Sequence, residues 1–175
     1  LAAKRMWCLF EVAMAKKEGV PIRVLVPKKE EMALREAVMG EDGEDTLLRM
    51  MQSVDCSSAT ASVLEDEKNI RRLIEEVVEG GYAGVDRIFK DVLAEWIKGM
   101  MRVLLDTFEE GSGERARFAL RAGILMSRAA EYDAAIEFNQ VSMEIRTALE
   151  GEESATVANA LGNMATAYKN KGDLD

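Results

Sequence analysis

Three arginines in the last third of the chain are spaced so that they can act together. Arg117, Arg121 and Arg128 follow one another at steps of four and seven residues, which places them on one stripe if the segment is helical. Each guanidinium carries paired N–H donors that match a carboxylate. In a protein with a net charge of −9, this stripe favours a partner segment that bears carboxylates. The alternative is a polar helix face that meets only solvent.

The composition excludes several kinds of chemical site. The sequence contains no histidine, so it lacks Ser-His-Asp and Cys-His nucleophile pairs and any His-ligated zinc site. The glycine-rich stretch 80–84 has no strand before it and is not predicted to bind a dinucleotide. The acidic stretch 41–45 lacks the ligand spacing of a calcium loop, and we expect a solvated loop there. We therefore expect no metal and no cofactor.

The charge and the cysteines of the chain indicate which kind of partner it binds and in which compartment it is found. The acidic chain has no basic cluster with interleaved aromatic residues, so nucleic-acid binding is not expected. No apolar run approaches the ~20 residues that cross a bilayer. Cys8 and Cys56 follow no metal or redox spacing, and free thiols fit a reducing compartment. We predict a cytoplasmic protein without a membrane span, whose partner is a protein or peptide.

The first hundred residues have the pattern of a partial α/β domain. Trp7, Phe10, Met14 and Lys17 share one face of the first predicted helix. The β-branched run 22–26 predicts a strand buried on both faces, and the stretch 47–54 is ambiguous between helix and strand. Helices are predicted over 4–17, 29–39, 66–79 and 85–97. Because one strand cannot make a sheet, we expect the other strands to precede Leu1 and the chain to be a fragment.

From residue 115 the pattern changes to paired amphipathic helices rich in alanine. The stretch 130–133 aligns with 172–175 at an offset of 42 residues, and the same offset superposes Gly123 on Ala165. Self-similarity at such a period is typical of a stacked α-α solenoid. We expect both small residues to lie where two helices pack closely. Antiparallel helices are predicted near 115–129, 133–149 and 155–171.

Residues 115–175 resemble tetratricopeptide repeats (TPR) of the kinesin light chain type, whose units have the same length. The similarity is carried by the stretches 132–136, 143–146 and 161–168. Two departures argue against a true motor light chain: Glu153-Ser154 replaces the usual His-Pro between units, and Asn139 replaces an expected aromatic residue.

The resemblance implies that partners bind as extended peptides or helices on the concave face formed by the first helix of each unit. Asn163 matches the asparagine that hydrogen-bonds the peptide backbone in such repeats. The partner-binding residues implied on this face are Arg117, Arg121, Arg128, Asn163, Lys169 and Asn170.

The stretch 6–11, Met-Trp-Cys-Leu-Phe-Glu, is similar to the Trp-Cys-x-x-Glu helix of Toll/interleukin-1 receptor (TIR) domains. Residues 1–98 resemble the back half of the TIR-like domains that single-celled eukaryotes fuse to such repeats. In NAD-cleaving members the glutamate of this motif is catalytic, so the resemblance implies that Glu11 would stabilise the charge that develops as nicotinamide leaves. Its spacing places Glu11 on a mostly apolar face, where it should have a partner or a pocket. The other interpretation is a signalling or structural domain without catalysis.

Together these patterns predict a mainly helical protein in three parts. Residues 1–98 form the C-terminal part of a TIR-like, flavodoxin-like domain, 99–114 a helix extension and linker, and 115–175 about one and a half repeats of a solenoid. The predicted function is a scaffold or adaptor that binds partner proteins through its repeats and self-associates through the TIR-like part. The alternative is an NAD hydrolase, with NAD as substrate, whose catalytic half is only partly present. No catalysis is expected of the fragment itself.

Overall fold

The computed structural model describes residues 5–25, 27–29, 32, 36, 40, 49 and 54–172. Across these residues the fold is mainly helical and contains no β-strand, apart from a single bridge between Arg5 and Thr60. Six helices have both ends in the described part: α1 (Met6–Lys17), α2 (Leu64–Val77), α3 (Gly81–Leu105), α4 (Gly113–Arg128), α5 (Tyr132–Glu150) and α6 (Ala155–Lys171).

The strand predicted at 22–26 is wrong for the residues of that range that the structure describes. Residues 22–25 have no regular secondary structure, and the side chain of Leu25 is 77% exposed. A β-branched run forms a strand only where a neighbouring strand supplies backbone partners, and none lies within the described residues. Val26 falls outside them, as do most of the stretches 29–39 and 47–54.

The chain divides into two compact units that do not follow its order. One comprises Leu1–Lys28 and Arg49–Trp96, and the other comprises Lys29–Leu48 and Ile97–Asp175. Helix α3 therefore contributes its first part to one unit and its last part to the other.

The first unit has a core in which α1 packs against α2. The buried residues of α1 are Met6, Leu9 and Ala13, at the spacing of one helix face. From α2, Ile70 and Ile74 are fully buried against them. The core is completed by Val54, Cys56, Ala59, Val78 and Val85. Three acidic residues in the first turn of α2 stabilise the N-terminal end of this helix, because the helix dipole is positive there.

In the second unit α4, α5 and α6 pack as antiparallel neighbours. Gly113 lies opposite Leu149, and Gly123 lies opposite Asn139, so numbering rises along α4 as it falls along α5. An ion pair of 3.0 Å between Lys171 and Asp133 gives the same direction for α6 against α5. The three predicted helices are confirmed, each end within two residues of its predicted position.

The same local features recur 42 residues apart in this unit. The hydroxyl of Ser112 caps the start of α4, and that of Ser154 caps the start of α6. After these helices the backbone turns through a left-handed residue, Ala130 with φ 61° and Gly172 with φ 89°. The 42-residue offset read from the sequence is therefore also an offset in backbone geometry.

The end of α3 is joined to α5 by two ion pairs. Lys98 Nζ lies 2.8 Å from a carboxylate oxygen of Glu131, and Arg102 donates two hydrogen bonds, of 2.9 and 2.6 Å, to Glu137. The bonds from Arg102 lower the pKa of Glu137. Because the paired positions rise together on both helices, this part of α3 runs in the same direction as α5.

Candidate partner-binding surface

The three arginines predicted to bind a partner all lie on α4. Arg117 and Arg128 are exposed, and Arg117 is 4.0 Å from Glu114 in an ion pair whose side chains are 68% and 73% exposed. Such an exposed pair adds little stability and leaves the guanidinium accessible. Arg121 is half-buried, and its Nη2 donates a 2.5 Å hydrogen bond to the carbonyl oxygen of Gly40. This arginine therefore already binds a main-chain carbonyl 81 positions away in the sequence.

The other three predicted residues lie on α6, which contacts both α5 and α4. Lys169 and Asn170 are exposed near its C-terminal end. Asn163 is half-buried, and its Nδ2 is buried without a hydrogen-bond partner in the described part of the chain. As it stands, this amide nitrogen does not face solvent. The structure thus brings together the two helices that carry the predicted surface, but it favours the arginines over Asn163 as accessible donors.

A buried polar position on α5 was not singled out as functional by sequence reasoning. Asn139 is 0% exposed, and its Nδ2 donates to the carbonyl of Ala135 at 2.7 Å while its Oδ1 has no partner among the described residues. A Cβ atom on Gly123 would lie 2.3 Å from that Nδ2. Gly123 is therefore required for Asn139 to fit between the helices, which confirms the close approach predicted there. Ala165 is exposed in the described part of the chain, but no residue equivalent to Asn139 at the 42-residue offset falls within the sequence, so the close approach predicted for Ala165 stays a prediction.

A hydrogen-bonded cluster holds the turn between α5 and α6. The carboxylate of Glu150 accepts bonds from the hydroxyls of Ser154 and Thr156, at 2.7 and 2.5 Å, and from the guanidinium of Arg146. These three bonds lower the pKa of Glu150 to about 2, and the bond from Ser154 has the largest effect, followed by those from Thr156 and Arg146. Because Ser154 also caps α6, the cluster positions that helix relative to α5.

The predicted environment of Glu11 is wrong. Glu11 and Trp7, one turn apart on α1, both lie on its exposed side, and 43% of Trp7 is exposed. The carboxylate of Glu11 has no hydrogen bond or ion pair with any residue that the structure describes. Within the described part of the chain, Glu11 therefore has neither the partner nor the buried surroundings that were expected for a catalytic carboxylate.

Cys56 occupies a structural position in the first unit. Its thiol is buried, and its backbone N–H donates a 2.7 Å bond to Asp86. Burial, and to a smaller extent the charge of Asp86, raises the pKa of Cys56 to about 11. The adjoining loop is held by Arg71, which donates to the carbonyls of Ser57 and Ala59. A thiol with a raised pKa is a poor nucleophile.

No family model, curated protein or solved structure matches this chain. Within the ranges that the structure describes, no helix is both long enough and apolar enough to cross a membrane. Among the same residues, no group of three or more His, Cys, Asp or Glu side chains is placed to hold a metal ion.

Proposed function

We propose that this chain is a scaffold or adaptor segment whose helical repeats, of the tetratricopeptide kind, hold a partner protein. The observation that carries the proposal is the recurrence of a capped helix at a 42-residue offset, with Ser112 and Ser154 at the starts and left-handed residues after the ends. Paired helices stacked at a constant period form a solenoid, and solenoids bind partners on the extended surface lined by equivalent helices. In this chain those helices are α4 and α6.

The end of α3 adds support for the same architecture. It runs in the direction of α5 and is tied to it through Lys98 and Arg102. In an array of helix pairs, the second helices of successive pairs run in the same direction. The last part of α3 then takes the place of the second helix of a preceding pair, ahead of α4.

The chemistry of the surface indicates the class of partner. Arg117, Arg121 and Arg128 present guanidinium groups along α4 of an acidic protein. A guanidinium forms paired, charge-assisted bonds with a carboxylate and also donates to carbonyl oxygens. We therefore propose an acidic peptide segment as the partner, bound through its carboxylates and its backbone.

Binding of short synthetic peptides that differ only in their number of carboxylates tests the proposal. Affinity, measured by fluorescence anisotropy, should rise with the number of carboxylates and fall with added salt. Replacing Arg117 or Arg128 by alanine should remove about 1.5–3 kcal/mol per contact, or roughly 10- to 150-fold in Kd. The matched control is Arg87→Ala, since Arg87 is an exposed arginine of α3 with no ion pair in the described part of the chain. Equal losses from Arg87→Ala and the α4 variants, or no binding of any peptide, would refute the proposal.

For residues 1–98 we propose the signalling, self-associating role of a TIR-like module. The NAD-hydrolase alternative depends on Glu11 alone, and an exposed carboxylate that has no partner among the described residues gives it no support. The adaptor role is tested by the concentration dependence of molecular mass in analytical ultracentrifugation.

A further inference from the structure

One contact of the arginine stripe already has an occupant from the same chain. The N–H of Gly40 donates to the carbonyl of Glu36 at 3.0 Å, as in a helical turn. The carbonyl of Gly40 comes at the end of that turn and accepts the hydrogen bond from Arg121. Carbonyls at the end of a helical turn carry partial negative charge, and cationic side chains commonly bind them. The described residues of the stretch 29–48, which are 29, 32, 36 and 40, are grouped with the second unit, although they are distant from it in sequence.

The sequence around Gly40 has the chemistry expected of an outside partner. The stretch 29–48 contains seven acidic and two basic residues, a net charge of −5. Four of the acidic residues, Glu41, Asp42, Glu44 and Asp45, follow Gly40 directly. A main-chain carbonyl bound to Arg121 and a run of carboxylates that follows it in the sequence match both kinds of acceptor that the stripe can bind.

We propose that the segment around Gly40 is an internal ligand of the arginine stripe and competes there with acidic peptides from outside. This inference rests on the proposed function of the stripe. A ligand tethered within the same chain acts at an effective concentration in the millimolar range. An outside peptide then binds only to the fraction of molecules in which the tethered segment has left, and its apparent affinity falls by that fraction.

A labelled synthetic peptide of residues 36–45 is the probe that tests this competition. It is titrated against the full chain and against a variant in which Glu41, Asp42, Glu44 and Asp45 are changed to their amides. Because the neutral segment competes less well, the variant should bind the probe at least about 10-fold more tightly than the unaltered chain. Adding Arg121→Ala to the variant should remove that gain.

Controls separate competition from general effects of charge and folding. Changing Glu109, Glu110, Glu152 and Glu153 to glutamine removes the same charge from exposed positions of the second unit, and probe affinity should change by less than about twofold because the segment is intact. Arg121→Lys retains the charge without the paired donors, so it should also lower probe binding. Circular dichroism verifies that each variant remains helical.

The outcomes distinguish this inference from the proposed function. Equal probe affinity for the unaltered chain and the amide variant would overturn the internal ligand, as would tight binding that survives Arg121→Ala. If other acidic peptides then still bind the stripe, the proposed function stands without internal competition. If the 36–45 probe behaves as expected and no other acidic peptide binds, the internal ligand stands and the partner-binding function is refuted.

Discussion

Replacing Gly123 by alanine is the sharpest test of the packing between α4 and α5. The added Cβ would lie 2.3 Å from Nδ2 and 2.6 Å from the Cγ of Asn139, far inside van der Waals contact. Asn139 is 0% exposed and bonded to Ala135, so it must move by roughly 1 Å and loosen that bond. Overpacking costs about 1–3 kcal/mol and a buried, unpaired donor about 1–3 kcal/mol. Higher helix propensity returns only about 1 kcal/mol.

We therefore expect Gly123→Ala to lower the free energy of unfolding by about 1–5 kcal/mol. The matched control is Gly162→Ala in α6, where a Cβ meets nothing within 4 Å, and this change should raise stability by about 0.5–1 kcal/mol. Urea unfolding followed by circular dichroism measures both. In the double variant Gly123→Ala with Asn139→Ala, removal of the amide should make the combined loss smaller than the sum of the single losses. Equal stabilisation by Gly123→Ala and Gly162→Ala would refute this account of the interface.

Three further predictions concern the backbone, the thiols and pH. Ala130→Gly should raise the free energy of unfolding by about 0.5–1 kcal/mol, measured in urea, because Ala130 has a φ of 61° that glycine adopts without strain. Half-buried Cys8 should react with iodoacetamide in the folded protein. Cys56 should react only in urea, because burial raises the pKa of its thiol to about 11, and mass spectrometry distinguishes the two modified residues. The pKa of Glu150 in the folded protein is about 2, below its usual 4.5. Its contribution to stability is therefore present above about pH 4.5 and is lost as the pH falls towards 2. Glu150→Gln should make the melting temperature depend less on pH between these two values.

The second unit could be predicted from sequence because its determinants are local. Periodic apolar residues and capping serines define each helix within its own segment, and the offset of 42 compares the segments with one another. The comparison also equates exposed Ala165 with buried Gly123. Burial depends on what packs against a position, and in the described part of the chain nothing covers Ala165.

The first unit was harder to predict because its patterns admit more than one answer. The segment of α1 is apolar on nearly every side, so periodicity could not choose between a buried face led by Trp7 and the observed one of Met6, Leu9 and Ala13. The run 22–26 has strand propensity, but propensity cannot supply the pairing partners of a sheet. The buried face of α1 and the conformation of 22–26 both depend on which residues pack against them in the folded protein.

The contact between Arg121 and Gly40 could not be predicted from local sequence patterns, because it joins residues 81 positions apart. It also bears on how an acidic protein could use a basic stripe selectively. Exposed guanidinium groups attract many acidic segments, and specificity is a difference between the affinities for right and wrong partners. An internal acidic ligand lowers the apparent affinity of all outside partners by the same factor, so it leaves that difference unchanged and raises the intrinsic affinity that any partner needs in order to bind. Under the two proposals, the segment around Gly40 therefore sets the affinity that a partner must exceed, and the arginines of α4 determine its chemistry.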